Sequence, residues 1–529
     1  MKRNVLMVYP RIPITYWSFK YSLEFIGKKT IFPPLGLLTV AAMLPEDWDL
    51  KLVDMNVEEL NETDVADADM VFISAMMVQQ ESFREVVSLC KKHGTTVVAG
   101  GPYATSSHED IDGVDHFILN EAEVTLPPFL DDLEKGEAEF IYDDDSRPDI
   151  SRAPIPRFDL INPKVYSSMP LQFSRGCPFN CEFCDIIELF GRVPRTKDPE
   201  QFISELDAVY SVDGVQSVFI VDDNLIGNKK RVKDLLRAII KWQKEHNYPV
   251  SLQAEASINL ADDDELLDLM EEAAFDMVFV GIETPDEETL KSTQKLQNIR
   301  GNMLENVEKI QRRGIEVTAG FIIGFDSDPE DIFDIQIDWI QRSAIIQAMV
   351  GLLDALPNTQ LYRRLQKEGR LLGDSSGNNT HDLDLNFIPR MAPSKVINGY
   401  LRVLSEIYDP KNFFERAFHL YTRLPGNKKV YRPFSKREAR ALFLSLFRQT
   451  FSRYGHHYLR FLWRALRYDT RLFSEAIAMS IKGYHLFKIT DMLLEEDPNI
   501  YIENAESAAP GRWVRKGTGA PVGRKRVAL

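Results

Sequence analysis

Three of the four cysteines in this 529-residue chain fall within one short stretch, Ser174-Arg175-Gly176-Cys177-Pro178-Phe179-Asn180-Cys181-Glu182-Phe183-Cys184, in the spacing C-x3-C-x2-C. Three thiolates on one loop can take three corners of a [4Fe–4S] cluster and leave the fourth iron open to another ligand. Gly176 and Pro178 suit an irregular loop around such ligands, and Phe179 and Phe183 can shield it from water. A structural zinc site would need a fourth ligand, usually as a second close pair. No histidine stands nearby, and Cys90 is far away in the chain. A disulfide framework does not suit three clustered thiols in a chain of this length.

Such a loop needs a scaffold, and the length implies about two to four domains. A hydrophobic content of 44% with 27% charged residues is that of a soluble globular protein. Val5 to Val8 reads as a buried strand rather than a signal peptide, and no apolar run approaches a membrane span. Few cysteines imply a reducing, cytoplasmic setting. The net charge of −17 argues against a nucleic-acid partner.

Residues 1–135 alternate β-branched runs with helical patterns. The strands expected are Asn4–Tyr9, Asp49–Asp54, Met70–Ser74, Thr96–Ala99 and His116–Leu119, with helices over Leu35–Leu44, Glu81–His93 and Leu126–Glu134. This βα repeat predicts an α/β fold with a doubly wound parallel sheet, whose ligands sit over the carboxyl ends of the strands. Those ends carry Tyr9-Pro10, Asp54-Met55-Asn56, Ser74-Ala75-Met76-Met77, Gly100-Gly101-Pro102 and Asn120-Glu121. Gly100-Gly101 would let a backbone approach a large flat ligand. No G-x-G-x-x-G follows the first strand, which excludes an ordinary dinucleotide fold, and Tyr9-Pro10-Arg11 lacks the acidic pocket of a receiver domain.

Residues 136–168, with Asp143-Asp144-Asp145 and Pro148, Pro154, Pro156 and Pro163, read as an extended polar linker. From 169 to 372 strands and helices alternate six times. The strands expected are Pro170–Arg175, Ser217–Val221, Val250–Ala254, Met277–Ile282, Glu316–Ile323 and Gln347–Leu353, with a helix at Pro199–Tyr210. Six βα units suit a partial (β/α)6 barrel with its site at the strand C-termini.

The cysteine spacing with its aromatic before the last Cys resembles the radical SAM superfamily, in which S-adenosylmethionine (SAM) chelates the open iron. One electron from the cluster then yields a 5′-deoxyadenosyl radical. The resemblance implies that Asp222-Asp223-Asn224 binds the methionine amino end of SAM and that Glu255-Ala256-Ser257 meets the ribose. Gly281-Ile282-Glu283-Thr284 ends the fourth strand, and Gly320-Phe321-Ile322-Ile323-Gly324 matches the G-x-I-x-G strand over which adenine stacks.

The order of the first domain, with Phe32-Pro33-Pro34-Leu35-Gly36-Leu37 and then Gly-Gly-Pro ahead of the cluster loop, looks like the cobalamin-binding domain of B12-dependent radical SAM enzymes. Cobalamin is then implied at Ser74, Ala75, Met76, Gly100, Gly101, Pro102, Asn120 and Glu121. The D-x-H-x-x-G signature is absent, so no histidine is expected on the lower face of the corrinoid. The layout resembles the B12-binding radical SAM family, including the hopanoid methylases, across roughly the first 410 residues. That resemblance implies methyl transfer from cobalamin to an unactivated carbon of a hydrophobic isoprenoid, lipid or tetrapyrrole, with flavodoxin or ferredoxin as electron donor. Ring formation, ring contraction or carbon–carbon coupling would use the same cofactors, and a noncatalytic cobalamin sensor would use only one. Tyr16-Trp17-Ser18-Phe19-Lys20 and Phe25-Ile26-Gly27 depart from the hopanoid methylases.

Residues 373–505 are expected to form a mostly α extension. Ser375-Ser376-Gly377-Asn378-Asn379-Thr380 reads as a surface loop that could cover the barrel mouth. Between 428 and 488 the acidic trend reverses: Lys428, Lys429, Arg432, Lys436, Arg437, Arg440, Arg448, Arg453, Arg460, Arg464, Arg467, Arg471, Lys482 and Lys488 face only three acids. Phe443, Phe447, Phe451, Tyr454, Tyr458, Phe461, Trp463 and Phe473 interleave with them. Such helices either pack on the acidic barrel or lie on an anionic membrane surface. Residues 506–529, rich in Gly, Pro, Lys and Arg, are expected to be disordered.

Overall fold

The structure, a computed structural model, describes residues 2–212, 214–425 and 436–507. Lys428, Lys429 and Arg432, and the tail from Ala508, lie outside the described residues.

The first sheet is fully parallel, in the order β2-β1-β3-β4-β5-β6. Its strands are β1 (Asn4–Tyr9), β2 (Asp49–Asp54), β3 (Met70–Ser74), β4 (Thr96–Gly100), β5 (His116–Ile118) and β6 (Ile141–Tyr142). Strand side chains alternate in direction, so Met7 and Phe72 pack into one layer with Leu38 and Phe129, while Val8 and Ile73 pack into the other with Phe83 and Tyr103. Burial on both faces explains the near-continuous apolar runs. The edge strand β6 sits inside the stretch read as a linker. The rest of that stretch is not simply extended and polar: it folds into short 3-10 turns that bury Phe158 and Tyr166.

The second sheet, also parallel, runs β14-β13-β12-β11-β10-β7. It comprises β7 (Met169–Leu171), β10 (Ser217–Ile220), β11 (Ser251–Glu255), β12 (Phe275–Glu283), β13 (Glu316–Ile323) and β14 (Ala348–Leu352). A two-stranded ribbon of β8 (Ser174–Arg175) and β9 (Arg195–Thr196) brackets the cysteine loop. This is the six-stranded partial barrel expected, with one strand per βα unit.

A helical extension follows, and it packs against the rest rather than standing apart. The Phe473–Leu494 helix lies on the Lys20–Ile26 helix from the far end of the chain. Tyr16 is fully buried there: its hydroxyl and Thr490 Oγ1 share a hydrogen bond at 2.8 Å, and its ring stacks on Tyr408 at 5.7 Å. Ser22 Oγ donates to Ile481 O at 3.0 Å. The Tyr16–Gly27 stretch is therefore a clasp onto the extension. Arg448 pairs with Glu24 and Lys482 with Glu316, acids of the body, whereas Arg464 pairs with Glu415 inside the extension.

Candidate active site

The cysteine loop is held by its own intervening residues. Gly176 has φ +94°, and a Cβ there would lie 2.9 Å from Gly191 O and 3.1 Å from Val193 O, so only glycine fits the closure. Asn180 Nδ2 donates to Gln294 Oε1 at 2.6 Å, and Gln360 Nε2 donates to Asn180 Oδ1 at 3.2 Å. Glu182 N donates to Thr293 O at 3.0 Å, and its carboxylate accepts from Arg364 Nε at 2.5 Å. The loop is thus tied both to the turn after the Glu287–Ser292 helix and to the Gln360–Lys367 helix. Phe183 packs near Phe325, ring centroids 5.7 Å apart, as a shield.

All three thiols are free; Cys181 is buried, and burial pushes Cys177 and Cys184 above the ordinary thiol range. Gln297 Nε2 points at Cys181 Sγ at 3.6 Å and Asn224 Nδ2 at Cys177 Sγ at 3.9 Å, so amide donors face the sulfurs. Such donors stabilise thiolate sulfur in a cluster. Among the described residues no three His, Cys, Asp or Glu side chains converge on one metal ion. A cubane differs in taking each thiolate on a separate iron, and the donor set here fits one.

The strand ends assemble an acidic pocket beside this loop. Asp222, fully buried, accepts from Phe173 N at 2.7 Å and Ser174 Oγ at 2.6 Å, which clamps the end of β10 to the cluster-bearing strand; burial pushes it up to about 6. Burial and then Asp222 push Asp223 up to about 7, and burial and then Asp223 push Glu255 up to about 8. Asp223 and Glu255, half-buried carboxylates that resist ionisation, fit a ligand bringing its own ammonium. Asn224 Oδ1 accepts from Ser257 N at 3.2 Å and from Ser257 Oγ at 3.3 Å, so these expected residues form one cluster. Gly320 leaves room beside Phe279, whose ring would be 3.1 Å from an added Cβ; Gly324, at φ +106°, lies by Leu353 and Val396.

One enclosed ion pair beside the cysteine loop escaped sequence reasoning. Glu283 ends β12 at φ +63° and accepts from Lys295 Nζ at 2.6 Å, both side chains nearly enclosed. Burial opposes the lysine charge, but Glu283 and the neighbouring Cys181 outweigh it and hold Lys295 above the ordinary range. The cation stands in the field of the cysteine loop. Twelve residues separate the pair and no periodic pattern marks Lys295.

The residues expected to meet the corrinoid divide. Met76 is exposed and lines a cavity, and Pro102 is exposed. Ser74, Gly100, Gly101 and Asn120 are half-buried at the strand ends, whereas Ala75 is enclosed. Gly101 has φ +83° and an added Cβ would lie 2.3 Å from Ser74 Oγ; one at Gly100 would lie 2.9 Å from Ile118 O. Packing within the sheet therefore already requires both glycines. Glu121 is buried and committed to arginines: Arg175 Nη1 at 2.6 Å and Arg195 Nη2 at 2.7 Å. Arg175 also binds Glu123 at 2.7 Å.

Between the two sheets lies a cavity of about 2100 Å3, larger than the roughly 300–1,000 Å3 of a common small-molecule site. Tyr9, Met55, Asn56 and Met76 line it from the first domain; Phe219, Met277, Phe279 and Met349 line it from the barrel. The room suits a corrinoid together with a second large molecule. The Ser375–Thr380 loop is more than surface: Gln80 Nε2 donates to Ser375 O at 3.1 Å, Ser375 and Thr380 are buried, and Gly377 to Thr380 line the cavity.

Comparison with known proteins agrees with these observations. A Radical SAM superfamily model matches residues 171–337, a B12 binding domain model matches 28–130, and a domain of unknown function (DUF4070) matches 359–498. The chain is 42% identical over 502 residues to an uncharacterised methyltransferase of Synechocystis sp., covering 93% of each chain. It is 35% identical over 419 residues to hopanoid C-2 methylase of Rhodopseudomonas palustris, covering 78% of each. TsrM from Kitasatospora setae, a radical SAM methyltransferase solved with cobalamin and a [4Fe–4S] cluster, shares the fold with a TM-score of 0.60 at 15% identity, over 88% of this chain and 99% of that one. The cobalamin-dependent radical enzyme OxsB, solved with aqua-cobalamin and SAM, gives 0.59 at 16% identity over 97% and 82%. The cofactors are a [4Fe–4S] cluster, SAM and cobalamin. With its cysteine loop, barrel and corrinoid domain in this arrangement, the chain belongs to the cobalamin-dependent radical SAM methyltransferase family.

Proposed function

We propose that this enzyme methylates an unactivated carbon of a large hydrophobic substrate, an isoprenoid lipid in preference to a tetrapyrrole. The cavity of about 2100 Å3 carries the reading, because its barrel side is walled by Phe219, Met277, Phe279 and Met349 and its N-terminal side by Trp17, Phe19, Leu23 and Ile26. Hopanoid C-2 methylase, at 35% identity, supports a polycyclic lipid. Of the residues that depart from the hopanoid methylases, Trp17, Ser18, Phe19, Lys20 and Ile26 line the cavity, which supports a lipid of that size class other than a hopanoid.

In this reading Cys177, Cys181 and Cys184 ligate the cluster. Asp223 and Glu255 would receive the SAM ammonium, Asn224 and Ser257 would orient its polar edge, and Gly320 and Gly324 would leave room for adenine. When bound, the cluster would supply the electron that splits one SAM to methionine and a deoxyadenosyl radical, which would take the hydrogen of the target C–H bond and leave as deoxyadenosine, while the corrinoid would supply the methyl group that replaces it, with a second SAM and an external one-electron donor restoring the methyl group and the reduced metals. An sp3 carbon is not nucleophilic, so ordinary SAM alkylation cannot reach it. The chain's share is to hold the target carbon at the barrel mouth and to keep water out with apolar walls.

The test is anaerobic turnover of the reconstituted protein with methyl-labelled SAM and a total lipid extract, beside a tetrapyrrole pool. Label in a neutral polycyclic lipid supports the reading. Label only in the tetrapyrrole replaces the substrate class. Deoxyadenosine with an unlabelled product refutes methylation and leaves cyclisation, rearrangement or coupling.

A further inference from the structure

We propose that the helix pair Lys436–Thr450 and Gly455–Tyr468 docks this enzyme on an anionic phospholipid bilayer and presents one end of the cavity to the membrane. The portal role rests on the lipid reading above; the docking stands on its own observations.

The first helix buries Ala441, Ser445 and Gln449, with Ser445 Oγ and the Tyr458 hydroxyl 3.0 Å apart, so its inner face is settled. The opposite stripe leaves out Phe443, Phe447 and, just past the helix, Phe451, exposed by 68%, 60% and 81%. Among the described residues the Phe443 ring lies against Phe447 and Phe447 against Phe451, 6.4 Å and 5.8 Å between centroids. The second helix repeats the pattern: Tyr458, Phe461, Leu462 and Ala465 face inward, while Leu459, Trp463 and Leu466 are exposed. Aromatic rows at this spacing on a soluble surface mark an interaction site.

Charge selects the occupant. Residues 436–471 hold nine Lys and Arg against two acids in a chain whose net charge is −17. Arg453 and Arg460 are each 66% exposed, and Arg467 lies over the Trp463 ring at 4.6 Å. Aromatic anchors flanked by basic heads match the apolar boundary and anionic headgroups of a bilayer. Among the described residues no helix is long and apolar enough to cross a membrane, so the contact is peripheral.

The surface also adjoins the cavity. Glu438, Ala441 and Leu442 line the cavity from the first helix, and the exposed Thr470, Arg471 and Ser474 line the same space. A lipid leaving the bilayer beside this helix reaches an apolar wall with little exposure to water.

The experiment is co-sedimentation of the full chain with phosphatidylcholine vesicles, with and without phosphatidylglycerol. Binding should require phosphatidylglycerol, fall with salt, and weaken at least about tenfold in Phe443→Ser/Phe447→Ser/Phe451→Ser, given the apolar area removed. Arg460→Glu/Arg467→Glu should weaken it too, with thermal midpoint and bound cobalamin unchanged in both variants. Wild-type protein left in the supernatant overturns the proposal, as does a triple variant that sediments fully. A dimer in light scattering that the triple variant abolishes overturns it in favour of self-association. Vesicle binding without lipid methylation refutes only the substrate reading; methylation of detergent-dispersed lipid without vesicle binding refutes only the docking.

Discussion

Arg175 Nη1 donates to Glu121 Oε2 at 2.6 Å, joining the residue that opens the cluster loop to the strand-end loop of the first domain. Glu121 is also held by Arg195, and Arg175 by Glu123, whose carboxyl Arg175 keeps below its ordinary range against the effect of burial. Four nearly enclosed charges therefore fix the first domain over the barrel mouth. Glu121→Gln leaves two buried guanidiniums short of a counter-charge and should cost about 3–5 kcal/mol. Urea unfolding checks the loss, and visible absorbance should show less retained cobalamin.

Changing Cys177, Cys181 and Cys184 together to Ala should remove four-iron absorbance and reduce deoxyadenosine to background. The fold should survive, because the loop is also held by Cys177 N donating to Gly191 O at 3.2 Å and by the Glu182–Arg364 pair. Unchanged far-ultraviolet circular dichroism beside an iron count near zero is the expected pair of readings.

Gly101→Ala should destabilise the first domain by about 2–4 kcal/mol, from the left-handed backbone and the overlap with Ser74 together. A parallel Gly136→Ala exchange separates the two causes. Gly136 has φ +75° but nothing within 4 Å of an added Cβ, so it should lose only the conformational part. Denaturant midpoints for both variants decide it.

His485 gives the molecule an acid limit. Its Nε2 lies 3.1 Å from Tyr16 O, Nδ1 is buried with no hydrogen-bond partner among the described residues, and burial lowers the ring to about 4. His381 lies close enough to oppose its charge, and the Tyr16 and Thr15 carbonyls favour it less than burial disfavours it. Between the unfolded value near 6.5 and this one the unfolded chain binds more protons, so stability falls as pH drops through that window, at up to about 1.4 kcal/mol per unit. Thermal midpoints of the wild type and His485→Gln across that range should converge at acid pH.

What could be read in the sequence was local. The C-x3-C-x2-C loop and the strand ends at Asp222-Asp223-Asn224 and Glu255-Ala256-Ser257 are contiguous residues whose chemistry follows from type and spacing. Periodicity likewise gave the strands, Glu316–Ile323 to the residue. What stayed hidden joins distant positions: Lys295 with Glu283, Ser375 with Gln80, Arg175 with Glu121. Gly100 and Gly101 were noticed for their freedom near a ligand, yet Ile118 and Ser74, residues from other strands, explain them first. Helix faces at 436–468 showed as amphipathic without showing which face was already covered.

The clasp of Tyr16 on Thr490 fixes an order of assembly. On a ribosome the chain emerges with its cysteine loop and both sheets complete while the Lys20–Ile26 helix still has nothing to lie on. One wall of the reaction chamber is thus built last, where the Lys20–Ile26 helix meets the Phe473–Leu494 helix, and a nascent enzyme lacks that wall.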